Sequence, residues 1–250
     1  VCPLAAHLVF NRSLLDQMKT LYSSLFSSLS SAPRLRLRGS KFVSAISACA
    51  AFLCSSATSP AKPLSYPGGV MIMQENDQTG NTVSIDYTFD PHFALGLYAK
   101  RDAGRDDFYT AGPQLNTLLK RWNLSDGQGN IFSMTGVGAA RQGNNTQPAA
   151  WASLLFDFET RRYFFSYEPR LMYAGNIEKS FWQRANIGVA PYLANYDQLS
   201  TWIMLKVDHH PAKRDHLVVT PYLRFFYKTI WLEAGYSSDN HVLLNWTKQF

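Results

Sequence analysis

Between Tyr163 and Tyr173 the chain alternates without a break. Tyr163, Phe165, Tyr167, Pro169, Leu171 and Tyr173 fall on one parity, and Phe164, Ser166, Glu168, Arg170 and Met172 on the other. Successive side chains of a strand point to opposite faces, so this segment makes a strand with one apolar face and one mostly polar face; a helix would mix them. The same split recurs at Val83, Ile85 and Tyr87 against Ser84, Asp86 and Thr88, and at Ala152, Leu154, Phe156 and Phe158 against Ser153, Asp157 and Glu159. It returns at Val219, Pro221, Leu223 and Phe225 against Thr220, Tyr222 and Arg224, and at Ile230, Leu232, Ala234 and Tyr236 against Trp231, Glu233 and Gly235. Repeated alternating segments separated by turn residues are the signature of a barrel that crosses a membrane with strands. The stretches Val70 to Gln74 and Ile131 to Ala140 alternate poorly, and no face is assigned to them.

Turn residues cluster near Asp77–Gly80, Asp90–Pro91, Asp102–Arg105, Ser125–Gly129, Gly143–Gln147, Thr160–Arg162, Gly175–Glu178, Asn195–Gln198, His210–Arg214, Tyr227–Lys228 and Ser238–Asn240. These breaks yield an all-β fold, an antiparallel transmembrane β-barrel of about 12 strands, an even count as in bacterial single-chain barrels. With the last strand ending in the periplasm, the odd breaks face outside and the even ones are expected to be the tighter turns. Trp122, Tyr163, Tyr173, Trp182, Trp202, Tyr227 and Trp246 fall near strand ends, where interfacial aromatic girdles are expected. The final strand, Val242 to Phe250, carries Val242, Leu244, Trp246, Lys248 and Phe250 on one face. Its terminal Phe250 resembles the insertion signal read by the barrel-assembly machinery. Outer-membrane lipid and lipopolysaccharide are the other expected partners, and the outer membrane of a Gram-negative bacterium is the expected location. A periplasmic β-sandwich or a lipocalin-like barrel is the soluble alternative, with its apolar faces turned inward.

Composition agrees with a lipid-facing surface. Aromatic residues make up 14% and charged residues only 17% of the chain, where a soluble domain carries about 25% charged residues. From Ser65 onward no apolar run reaches the ~18 residues a membrane helix needs. The net charge of +6 is concentrated early, where Arg12, Lys19, Arg34, Arg36, Arg38 and Lys41 face only Asp16. The remainder is close to balance, which argues against nucleic acid as a partner. The basic stretch Arg34–Lys41 followed by apolar Phe42–Leu53 reads as a signal peptide, with cleavage expected after Ala57 or Ala61. The expected organisation is an N-terminal extension over 1–33 from an early start, a signal peptide over 34–61, a linker over 62–68 and the barrel over 69–250. Ile46–Cys49 also resembles a lipoprotein cleavage box. Cys2, Cys49 and Cys54 all precede Ser65, so the barrel holds no disulfide framework.

Several stretches carry a resemblance: Ser65–Gly69, Met73–Asp77, Leu118–Trp122, Arg162–Glu168, Thr201–Leu205 and Leu232–Tyr236, with Asn245 and Trp246. Together they resemble a family of small proteobacterial outer-membrane β-barrel proteins without an assigned activity, loosely associated with heavy-metal-handling gene neighbourhoods. The resemblance implies a barrel after Ser65 and assigns no catalytic residue.

The polar parity supplies the candidate chemistry. Asp86, Asp157, Glu159, Glu168, Asp208 and Glu233 are expected to line the lumen against Lys100, Lys120, Arg170, Arg184, Lys206 and Arg224. Such a lumen can be plugged by cross-strand pairing or can line a narrow passage for small solutes or ions, since twelve strands lie between filled small barrels and open porins. A non-catalytic envelope component is the companion reading. His209, His210 and His216, with His241 in the neighbouring loop, offer a second candidate, a metal site of a metal-stress response. Ser237 and Ser238 near His241 offer a third, a rim lipid hydrolase, without a recognisable motif. No catalytic residue is assigned and no cofactor is expected.

Overall fold

The computed structural model describes residues 63–77, 79–102, 107–211 and 217–250. They form the expected closed antiparallel barrel of twelve strands. In chain order these are β1 (Val70–Asp77), β2 (Gly80–Asp90), β3 (Phe93–Asp102), β4 (Phe108–Asn123), β5 (Gly127–Gln142), β6 (Asn145–Thr160), β7 (Tyr163–Ala174), β8 (Glu178–Val189), β9 (Ser200–His209), β10 (Leu217–Tyr227), β11 (Ile230–Tyr236) and β12 (Val242–Gln249). Each pairs with its sequence neighbours, and β1 pairs with β12 to close the ring. Val70 and Phe250 exchange backbone hydrogen bonds at 3.2 and 2.8 Å across this seam. They define the terminal end of the barrel; the opposite end is called distal.

The alternation settles which side each residue takes. Val137, Leu171, Ile187 and Ile203 stand outside, each more than half exposed, while Ser84, Thr110, Ser153, Ser166 and Thr220 are buried on the inside. The barrel is therefore apolar outside and polar inside, the reverse of a soluble domain. Trp182 and Trp202 depart from the expected girdle. Trp182 is buried on the inner face, its neighbour Phe181 being the residue that faces out, and Trp202 packs inside against Met204, Tyr222 and Leu243.

The unassigned strands also take definite faces. β1 turns Met71, Glu75 and Asp77 inward, and β5 turns Asn130, Phe132, Met134 and Ala140 inward. In β5 the alternation is weak because part of its inner face packs against other side chains: Phe132 lies on Leu64, Ala94 and Leu118. The β5–β6 and β7–β8 turns at the distal end are short. Gln142 pairs with Asn145, so residues expected in an outer loop up to Gln147 already belong to β6. Gly143 and Gly175, with φ of 57° and 56°, sit in the left-handed region that such tight reversals require. The longest connection, residues 190–199 between β8 and β9, lies instead at the terminal end, where tight turns were expected.

The stretch expected as a linker is part of the barrel wherever it is described. Leu64 is only 5% exposed, and Pro63–Gly69 is tied to β2 and β4 from within. The expected extension over 1–33, the signal peptide over 34–61 and Lys62 lie outside the described residues.

Candidate functional site

The lumen holds the charged side chains in three groups. In the first, β1 reaches across the interior to β8 and β9. Asp77 Oδ2 accepts from Lys206 Nζ at 2.8 Å and from Arg184 Nη2 at 2.7 Å. Arg184 Nε donates to Asp208 Oδ1 at 2.8 Å, and Lys206 Nζ lies 3.1 Å from Asp208 Oδ2. Glu75 completes the group, 3.6 Å from Arg184. Because β1 and β9 are not neighbours in the sheet, these ion pairs span the bore and do not merely run along the wall.

The second group surrounds the Trp182 indole. Lys100, Arg170 and Arg184 lie 6.0, 5.1 and 5.1 Å from its centroid, and the His210 ring stacks on it at 5.8 Å. A cation over an indole face is worth about 0.5–2 kcal/mol. Each cation also keeps a carboxylate: Lys100 holds Asp102 at 2.8 Å and Arg170 holds Glu168 at 3.0 Å. The third group lies toward the terminal end, where Arg224 is sandwiched between Phe164 and Trp231 at 4.6 and 4.2 Å. Arg224 Nε donates to Glu233 Oε1 at 2.8 Å, and Asn245 Nδ2 donates to Glu233 Oε2 at 2.8 Å.

Two chains of hydrogen-bonded side chains run along the remaining side. Trp151 Nε1 donates to Gln114 Oε1 at 2.8 Å, Gln114 Nε2 to Asn116 Oδ1 at 2.9 Å, and Asn116 Nδ2 to Asp86 Oδ1 at 2.9 Å. Arg121 Nε donates to Asn130 Oδ1 at 2.7 Å, and Asn130 Nδ2 to Asp157 Oδ1 at 2.6 Å. Between the groups runs a cavity of about 180 Å³, bordered by Lys100, Arg184, Glu159, Arg224 and Trp231. That is room for several waters in a narrow path.

Eleven of the twelve charged residues read from parity face the interior: Asp86, Lys100, Asp157, Glu159, Glu168, Arg170, Arg184, Lys206, Asp208, Arg224 and Glu233. Lys120 does not. The β4–β5 register shifts between Leu118 and Lys120, so Lys120 pairs with Ile131 on the outer side and Arg121 takes the inner place opposite Asn130. Glu75 and Asp77 escaped the sequence reading because Asp77 borders a turn. The signal was present, since Met71, Met73, Glu75 and Asp77 share one parity. Counting Asp102 and, at the distal end of β8, Glu178 as well, the inner face of the described strands carries ten carboxylates against six cations.

The histidines do not converge. His209 lies on the outer side, its Nδ1 2.7 Å from Gln183 Nε2, while His210 turns inward to Trp182. His241 lies beside Asp239 at 3.4 Å, and His216 falls outside the described residues. Among the described residues no three metal-ligating side chains group together. At the proposed hydrolase position the Ser237 hydroxyl closes its own turn, accepting from the His241 backbone N–H at 3.0 Å and donating to Asp239. The Ser238 hydroxyl accepts from the Val219 N–H at 3.1 Å. Both are turn-stabilising bonds to the backbone or to a carboxylate. Phe250 sits outside the ring at the seam, with Lys248 Nζ 5.6 Å from its centroid.

No protein-family model and no curated protein matches the chain. Among solved structures it is similar to KdgM porin, at 13% identity and a TM-score of 0.43 over 73% of this chain and 98% of that one. A structure described as KdgM porin in complex with disordered oligogalacturonate gives the same values. A third, described as "Unveiling the Mechanism Behind the in-meso Crystallization of Membrane Proteins", is 8% identical with a TM-score of 0.40, covering 73% of this chain and 83% of that one. No role of any residue follows from these similarities.

Proposed function

We propose that the barrel spans an outer membrane and that its lumen is a narrow passage for small solutes, favouring cations over anions. The observation that carries this reading is the partition of the wall. A continuous apolar outer surface faces one way, and acidic and basic side chains around the cavity face the other. An exposed apolar surface of this extent on a soluble monomer would drive association; in a bilayer it is the solvated face. With an even strand number, both chain ends of the barrel fall on one side, which is the periplasmic side in bacterial barrels.

Selectivity follows from the inner charge. Ten carboxylates against six cations leave carboxylates in excess along the path, in a low-dielectric wall that screens them poorly. A cation entering the lumen is attracted and an anion repelled.

The test is heat-modifiable migration on a denaturing gel together with planar-bilayer recording of the same refolded sample. A folded, faster-migrating form should give small discrete conductance steps and, under a salt gradient, a reversal potential displaced toward the cation. Replacing Arg184 with Gln should displace it further. A sample that stays soluble without a mobility shift would sink the membrane reading, and anion preference would sink the charge assignment.

A further inference from the structure

The described residues before β1, Pro63–Gly69, lie inside the barrel. Gly69 N–H donates to Tyr66 C=O at 2.9 Å, and Gly68 takes φ of 85°. That is the pattern of a type II turn with Pro67 and Gly68 at its centre. β1 climbs the wall from this turn toward the distal end, and the described residues on the other side of the turn, Pro63–Ser65, lie within the lumen.

The segment is held by contacts specific to its residues. Leu64 lies among Ala94, Leu118, Phe132 and Leu155, which belong to β3, β4, β5 and β6. The Pro63 carbonyl accepts from Asn116 Nδ2 at 3.1 Å, and Asn116 is fixed in turn by Gln114 and Asp86. Ser65 N–H donates to Thr88 Oγ1 at 3.0 Å, and Gly68 N–H to Thr88 C=O at 2.7 Å. Pro63 borders the cavity, whose opposite wall is made by Phe164, Arg224, Trp231 and Asn245. The segment thus covers the dry side of the bore and leaves the path to the charged and aromatic side.

We infer that Pro63–Tyr66 is a built-in constriction that sets the bore of the passage, with Leu64 as the anchor that determines its size limit. The inference rests on the reading of the lumen as a passage. Leu64 is suited to the role because an apolar side chain in an apolar recess holds the backbone of its neighbours against the wall, whereas a polar one would be driven toward the water of the path.

The experiment compares the membrane-purified wild-type protein with Leu64→Gln, by unitary conductance and by liposome swelling in neutral sugars of increasing mass. Leu64→Gln should raise unitary conductance at least twofold and admit a sugar that the wild type excludes, with the heat-modifiable shift retained. A second variant guards against misfolding. Leu64→Cys, in a background with Cys2, Cys49 and Cys54 replaced by serine, should react with a membrane-impermeant maleimide at least tenfold more slowly than Asn144→Cys in the same background. Equal conductance and an equal size limit in a folded Leu64→Gln barrel would overturn the constriction while leaving the passage standing. Reaction of the cysteine at position 64 as fast as that at position 144 would also overturn it. Absence of conductance steps in both wild type and Leu64→Gln would overturn the passage itself, and the constriction with it.

Discussion

Asp77 shows how much of the interior depends on single carboxylates. It receives both Lys206 and Arg184 while itself almost fully buried, so each partner has given up water for it. Removing one member of a buried ionic group leaves the others uncompensated, at a cost of about 3–5 kcal/mol. Asp77→Asn should therefore lower the stability of the lipid-refolded barrel by that order in urea unfolding. Lys120→Gln, on the outer side beyond the register shift, should change it by less than about 0.5 kcal/mol. Parity puts Lys120 on the inner face and the structure puts it on the outer one, because nothing in Leu118–Arg121 marks the extra residue of a bulge. It passed over Asp77 because aspartate is a turn-former as well as a lumen residue. His209 and His210, read as one cluster, are separated by the same alternation that identified the strands.

At the level of elements, the strands whose inner face meets water or ions were legible, and those whose inner face meets other side chains were not. β7, β10 and β11 alternate cleanly because their two sides see opposite solvents. β5 does not, because Gly136 and Phe132 pack under Trp151 and against Leu64. Directly opposite Trp151 in the register stands Gly136, and a Cβ there would fall 2.2 Å from the indole. The glycine lets Trp151 lie along the wall, reach Gln114 and pack on Tyr98 at 5.0 Å. Gly136→Ala must displace the ring, and overpacking of this kind costs about 1–3 kcal/mol. The expected readout is that loss in urea unfolding, relieved when Trp151→Phe is added. The long connection at 190–199 was legible only at its Asn195–Gln198 turn, since Pro191 and the residues around it carry no strand or loop period of their own.

For the whole molecule, the outer surface is the part a bilayer has to accept. Leu154 stands outward, 40% exposed and well inside the long strand β6. An arginine there would cost about 2–4 kcal/mol if it faces the bilayer midplane. Leu154→Arg should reduce stability by that order in lipid vesicles, whereas on a water-facing sheet the same change would be near neutral. The ring is registered least extensively where it closes: Met71–Gln74 meets Trp246–Gln249, while β5 and β6 stay paired over their full length. Pro63–Tyr66 lies within the circle that this short join completes, against β2 to β6, which follow it directly in sequence. A wall that curls shut with part of its own chain indoors must bring that part in before the two edges meet, or thread it afterwards through a mouth already crowded with side chains. The first route needs only contacts between consecutive stretches of chain.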